Sequence, residues 1–197
     1  MGYDILIKGG SVIDGSGAPA FTADVAIEGG RIAAVGKIST PAHRTIDASG
    51  LAVAPGAIDV HTHYDAEVCW NGLLDASAEH GVTTVIQGNC GVGIAPCRPA
   101  DREAVVQDLV VLEGVSYETL MAGIQWHFET FPEYLDFLRK RGLGINVASF
   151  VPLSPMRRYV IGDASIERGA TDDERERIAV SIRAAVEAGA LGFSATT

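Results

Sequence analysis

Val53-Ala54-Pro55-Gly56-Ala57-Ile58-Asp59-Val60-His61-Thr62-His63 is the stretch on which the reading of the fold turns. Pro55-Gly56 breaks the chain, because proline fixes φ and glycine tolerates turn geometry. The largely apolar run that follows predicts a strand over Ala57 to His63, of the kind covered on both faces in a parallel sheet. Successive side chains of a strand alternate faces, so His61 and His63 project to one side and Thr62 to the other. Two imidazoles so placed can clamp a metal ion, although an isolated His-x-His also arises by chance. Its position at the C-terminal end of an apolar strand favours the ligand reading, since active sites of βα barrels lie at that end.

Downstream, buried-type strands continue at Thr83 to Gln87, Ile145 to Val151 and Leu191 to Ser194. Helices are predicted between them at about Gly72 to Glu79, Arg102 to Leu112, Phe131 to Lys140 and Asp172 to Ala188. The last is the most sharply marked: Thr171 and Glu174 have capping-box spacing, Ile178, Ile182, Ala185 and Val186 repeat with helical period, and Gly189 supplies the stop. Gly114 to Thr130 reads as a longer insertion without firm periodicity, of the sort that builds active-site rims. Alternation of strand and helix places residues 55–197 in the α/β class. Upstream, residues 1–54 read as a small all-β module with strands at Tyr3 to Lys8, Ser11 to Ile13, Ala23 to Glu28, Arg31 to Val35, Thr45 to Asp47 and Leu51 to Ala54. Within it, Glu28-Gly29-Gly30-Arg31 is a hairpin signal, because tight hairpin turns demand positive φ.

Cys90 closes the second strand region in Gln87-Gly88-Asn89-Cys90-Gly91-Val92-Gly93. Its thiolate would suit zinc; the alternative is a small buried cysteine in a glycine turn. The glycines do not form a phosphate loop, since neither Gly-Lys-Ser/Thr nor GxGxxG spacing is present. Asp65, at the same parity as the histidines, either orients an imidazole or caps a turn. Glu67 and Asp75 read as surface or cap residues, Cys69 and Cys97 as packing residues, and His80 as a histidine at a helix C-terminus. Arg157 and Arg158 either meet a substrate carboxylate or form an exposed basic pair.

Composition narrows the function classes. At 197 residues, 47% hydrophobic and 20% charged, the chain is globular. A net charge of −10 with scattered Lys and Arg argues against nucleic acid. No apolar run approaches the roughly 20 residues that cross a bilayer, and the first residues lack a basic leader, so no membrane association is expected. Three cysteines without CxxC spacing fit a reducing compartment, with the cytoplasm as the default.

Three segments together resemble the amidohydrolase superfamily: Asp4-Ile5-Leu6-Ile7-Lys8-Gly9-Gly10 with Val12-Ile13-Asp14-Gly15, Ile27-Glu28-Gly29-Gly30-Arg31-Ile32-Ala33-Ala34-Val35-Gly36, and the Val53 to His63 stretch. His63-Tyr64-Asp65-Ala66, Gly88-Asn89-Cys90-Gly91 and Gly189-Ala190-Leu191-Gly192-Phe193-Ser194 look like its N-acyl-D-amino-acid deacylase branch. The resemblance implies a (β/α)8 barrel with a small β-sandwich made by both chain ends, one or two zinc ions, and hydrolysis of the amide C–N bond of a small molecule. By position it makes His61, His63 and Cys90 metal ligands; many other family members use a carboxylated lysine from a later strand instead. Arg157 matches the branch's substrate arginine, whereas Leu153 stands where a histidine is usual.

The family's other ligands and its catalytic aspartate come from later strands, so they are expected beyond Thr197. Four barrel-type strands are visible where closure needs about eight. The chain therefore reads as the N-terminal portion of such a protein, either a fragment or a subunit whose barrel is completed by a second chain, and inactive alone. Two readings compete with the deacylase: a non-catalytic or split-subunit protein on the same fold, and a cyclic amidase of dihydroorotase or hydantoinase type.

Overall fold

The computed structural model describes residues 2–196 and divides the chain into two compact units, Met1–Gly56 and Ala57–Thr197. In the first, strands β1 (Tyr3–Val12), β2 (Phe21–Glu28), β3 (Arg31–Gly36), β4 (Ala42–Asp47) and β5 (Ala52–Val53) form a five-stranded sheet. β2 lies antiparallel to both β1 and β3, while β4 and β5 run parallel to β1. The hairpin is where the sequence places it, with Glu28 opposite Arg31 and both Gly29 and Gly30 at positive φ.

The two strands expected at Tyr3 to Lys8 and Ser11 to Ile13 are a single strand. The pairing of β1 with β2 slips between Ile7 and Gly10, where Gly9 takes φ +70°. A β-bulge absorbs the extra residue, and the buried Asp24 carboxylate accepts the Gly9 amide at 2.8 Å. The glycine pair that looks like a strand break therefore bends a continuous strand.

The second unit alternates strands and helices in the order β6 (Ala57–Asp59), α1 (Asp75–Ala78), β7 (Val82–Gln87), α2 (Arg102–Glu113), α3 (Tyr117–Gly123), α4 (Phe131–Arg141), β8 (Asn146–Ser149), β9 (Val151–Pro152), α5 (Leu153–Ile161), α6 (Asp172–Glu187) and β10 (Phe193–Ser194). β6, β7 and β8 pair in parallel with β7 central, and β10 pairs in parallel with β9. Asp59 is level with Val85, and Gln87 with Ser149, so the C-terminal ends of these strands share one edge. Phe150 alone separates β8 from β9, and its amide donates to the Gln87 carbonyl at 2.9 Å. The core beneath is built of Val85, Ile94, Leu120, Phe131, Tyr134 and Met156, with Ile178 and Ala185 from α6. α4 and α6 each open on a full capping box, Thr130 with Glu133 and Thr171 with Glu174.

Four expectations are corrected. Helix α1 is one turn rather than Gly72 to Glu79, because the Asn71 side chain accepts the Leu73 and Leu74 amides and Leu74, with φ 47°, starts the helix late. The stretch read as irregular after Gly114 contains α3, whose cap Ser116 accepts the Thr119 amide; seven residues are too few for periodicity to register. The last strand is shorter, at Phe193–Ser194, since Gly192 at φ +149° precedes it. The first parallel strand ends at Asp59, so both histidines lie beyond it.

Candidate metal centre

Past Asp59 the chain leaves the ladder but remains bonded to β7. The Asp59 carboxylate accepts the His61 amide at 3.2 Å, and the Thr62 amide and hydroxyl both donate to the Ile86 carbonyl at 2.9 Å. Those bonds keep the alternation that regular pairing no longer enforces. Thr62 is buried toward β7, and the rings of His61 and His63 lie together with centroids 5.4 Å apart.

Cys90 arrives from the neighbouring strand end through a tight turn in which Gly88, Cys90 and Gly91 take φ of +76°, +55° and +71°. A Cβ on Gly88 would collide with the Phe150 carbonyl, so glycine is required there for both conformation and space. The turn is held from several sides. Asn89 Nδ2 donates to the Ile86 carbonyl at 2.9 Å, the Gly91 amide donates to Ser194 Oγ at 2.9 Å, and the hydroxyls of Ser194 and Thr196 donate to the carbonyls of Gly88 and Cys90. The result brings Cys90 Sγ to 3.2 Å from His61 Nε2.

His61, His63 and Cys90 each present one donor atom, and the three lie within 4.8 Å of one another. Tetrahedral zinc with Zn–N of about 2.0–2.1 Å and Zn–S of about 2.3 Å separates its donors by about 3.3–3.6 Å. Side-chain rotation covers the difference. Two imidazoles and a thiolate are a borderline-soft set suited to that ion, so the residues fit it. His61 and Cys90 are exposed and His63 is half-buried, which leaves the cluster reachable from solvent. The histidines open onto a cavity of about 430 Å³ whose wall also includes Glu67, Trp70, Leu109 and Glu113.

The acids around the cluster divide differently from the sequence reading. Asp65 is buried, and its Oδ2 accepts the Gly88 amide at 3.1 Å rather than an imidazole proton. It thus ties the histidine segment to the cysteine turn. Burial pushes its carboxyl up to about 7, against the Gly88 amide and with a smaller push from the charge of Glu113. The carboxylate that approaches a histidine is Glu113, whose Oε1 lies 3.4 Å from His63 Nδ1. Sequence reasoning missed it. The available signal was an acid as the last residue of a helix, where the macrodipole disfavours negative charge.

Tyr134, missed as well, joins the end of β7 to the segment that follows the histidines. Its hydroxyl donates to the Asp65 carbonyl at 2.9 Å and accepts from Gln87 Nε2 at 2.6 Å, all within the core. Burial holds its phenol well above the ordinary tyrosine range. Cys69 and Cys97 are packing residues, almost fully buried, with thiols pushed up by burial to about 12. His80 turns Nδ1 to the Ala76 carbonyl at 2.8 Å, at the end of α1.

Arg157 and Arg158 are not an exposed pair. Arg158 is buried and approaches Asp163 at 3.4 Å and Asp108 at 3.8 Å. Arg157 is half-buried, and its Nη2 donates to the carbonyls of Ser165 and Arg168 at 2.7 and 2.9 Å. It lines a different cavity, of about 580 Å³, with Leu153, Ile178, Ile182 and Phe193. No helix among the described residues is long and apolar enough to cross a membrane.

Residues 44–197 match the amidohydrolase family. A D-aminoacylase from Alcaligenes xylosoxydans xylosoxydans is 39% identical over 193 residues, which cover 98% of this chain and 37% of that protein. The structure superposes on an N-acyl-D-glutamate deacylase from Bordetella bronchiseptica, solved with zinc and a phosphonate inhibitor, with a TM-score of 0.83 and 36% identity over 99% of this chain and 38% of that one. A D-aminoacylase structure described by its binuclear metal centre gives a TM-score of 0.76 at 36% identity over 98% and 38% of the two chains. The chain thus spans a little over a third of the length of these relatives.

Proposed function

The chain belongs to the amidohydrolase family, and from that premise we propose that the whole protein is a zinc-dependent hydrolase that cleaves the amide C–N bond of an N-acyl-D-amino acid. The observation that carries this reading is the convergence of His61, His63 and Cys90 within 4.8 Å at the ends of adjacent parallel strands. In this reading β6 to β8, with the β9 and β10 pair, are the opening strands of a (β/α)8 barrel, and the sheet of residues 1–54 is one layer of a β-sandwich. The uncovered apolar side chains Ile13, Phe21, Ile32 and Val35 support a second layer.

Bound zinc would supply Lewis acidity toward a carbonyl oxygen and acidify water to a pKa of about 7. The residues of this chain do the rest of what is assigned to it. His61 and His63 donate neutral imidazole nitrogens and Cys90 an anionic thiolate, so two of the three groups bring no charge. Asp65 keeps the cysteine turn against the histidine segment, and Trp70 and Leu109 give the adjoining cavity an apolar wall. Arg157 is assigned the substrate carboxylate from its place in the motif. The carboxylate that carries the proton to the leaving amine is assigned to sequence outside residues 1–197.

The test is hydrolysis by the purified full-length protein, loaded with zinc, of N-acetyl-D-amino acids, their L enantiomers and a cyclic amide. Release of the D-amino acid with retained zinc is expected, together with loss of zinc from His61→Ala and Cys90→Ser. Hydrolysis of the cyclic amide alone would point to the cyclic amidase, and no hydrolysis of either would sink the proposal.

A further inference from the structure

Glu113 stands at the metal cluster with no role yet given to it, and its position is locally unfavourable. It is the last residue of the twelve-residue helix α2, where the carbonyl end of the macrodipole repels a carboxylate. A stray acid there would turn to solvent. Instead Gly114 at φ +67° ends the helix immediately, and the Glu113 side chain, 25% exposed, faces the cavity beside the histidines.

His63 Nδ1 explains the placement. That atom is buried from solvent and has no hydrogen-bond partner, the 3.4 Å approach of Glu113 Oε1 being an ion-pair contact rather than a formed bond. A neutral imidazole carries one N–H, and an N–H on a buried nitrogen needs an acceptor. The other nearby acids are committed: Asp59 to the His61 amide, Asp65 to the Gly88 amide, Glu67 to Asn71 Nδ2. Among the described residues His63 is also the one ion-pair partner of Glu113.

We infer that Glu113 is the positioning residue for His63: its carboxylate accepts a hydrogen bond from Nδ1–H, fixes that tautomer, and so presents the lone pair of Nε2 to the cluster. The inference rests on the ligand reading above for its purpose but not for its geometry. A carboxylate behind a ligating histidine sets ring orientation and basicity, and its loss weakens metal binding about 10- to 100-fold.

The experiment uses full-length protein with ¹⁵N-labelled histidine, first stripped of metal. Long-range ¹H–¹⁵N spectra are expected to show His63 protonated on Nδ1. Glu113→Ala should move that proton to Nε2, while Glu113→Gln, whose carbonyl can still accept, should keep it. Competition with a chelator for Co²⁺ should then show about 10- to 100-fold weaker binding by the alanine variant and a smaller loss for glutamine. An Nε2–H tautomer in the parent overturns the inference, as does unchanged Co²⁺ affinity and absorption in both variants. A parent that holds the Nδ1–H tautomer yet binds no Co²⁺ supports the assignment of Glu113 and overturns the metal reading instead.

Discussion

Replacing Tyr134 with phenylalanine removes one oxygen from the core and should cost far more than its size. The ring sits fully buried, edge-on to Phe128 at 4.9 Å and to Phe131 at 5.7 Å, and a phenylalanine keeps all of that packing. What goes is the acceptor for Gln87 Nε2 and the donor to the Asp65 carbonyl. Gln87 is wholly buried and its Oε1 already lacks a partner, so the side chain has nowhere to redirect its amide. Each buried polar group left unmatched costs about 1–3 kcal/mol, and two of them give about 2–6 kcal/mol. With a urea m-value of about 2 kcal/mol/M, the midpoint should fall by about 1–3 M at unchanged m. Tyr159→Phe is the internal control. That hydroxyl reaches Glu129 Oε1 only at 3.4 Å from a half-buried position, and its loss should cost under about 0.5 kcal/mol. A Tyr134→Phe variant no less stable than the Tyr159→Phe one would refute the reasoning, by showing that the Gln87 and Asp65 groups are satisfied some other way.

Gly88→Ala forces a Cβ into the Phe150 carbonyl at positive φ, so it should lower the melting temperature and release Cys90 from the cluster, which thiol-reactivity measurements with and without Zn²⁺ would read; an unchanged thiol would contradict the fixed turn. Asp65 holds its proton in the folded state up to about pH 7 but releases it near 3.8 when unfolded. Its contribution to stability is therefore full below 3.8 and lost as pH rises through 7, a swing of at most about 4 kcal/mol by linkage. Metal-free Asp65→Asn should lack that decline between pH 5 and 8, and an identical pH profile in urea melts would exclude it. Arg157→Lys, by losing paired bonding to a carboxylate, should raise KM roughly 10- to 100-fold with a smaller change in kcat; an unchanged KM would leave Arg157 only its bonds to Ser165 and Arg168.

The grouping of His61, His63 and Cys90 was legible because it is carried by local patterns. His-x-His needs only an extended backbone, and Gly-Asn-Cys-Gly announces a turn that glycine makes cheap. The capping box at Thr171 is equally local. What escaped depends on pairs far apart in the chain. Glu113 lies 50 residues from His63 in sequence, and Tyr134 47 from Gln87, so no spacing rule connects them. The β1 bulge escaped for the opposite reason. Two glycines resemble a break in any sequence, and only the Asp24 carboxylate across the sheet shows that they are a bend.

The unfavourable choices are informative where local structure does not account for them. Among the described residues two non-glycine residues have positive φ, Leu74 and Cys90, each at a cost of about 1–2 kcal/mol. The side chain of Asn71 caps the turn at Leu74 and explains it. At Cys90 the local bond from Asn89 Nδ2 to the Ile86 carbonyl is joined by long-range ones. Its conformation is held by bonds from β10 and Thr196, about 100 residues away, and near it are a carboxyl buried at Asp65, a half-satisfied Gln87, and a carboxylate at the wrong end of a helix in Glu113. Each costs stability separately, and a chain selected for stability alone would replace each with a residue already common at such positions. Their coincidence in or against the segments that carry His61, His63 and Cys90 is what the proposed metal site would require, and that proposal makes a joint prediction. Replacing Asp65 with asparagine or Glu113 with glutamine should leave the protein at least as resistant to urea while weakening its hold on Co²⁺. Variants that lose stability and metal in step would instead mark these groups as ordinary structural partners.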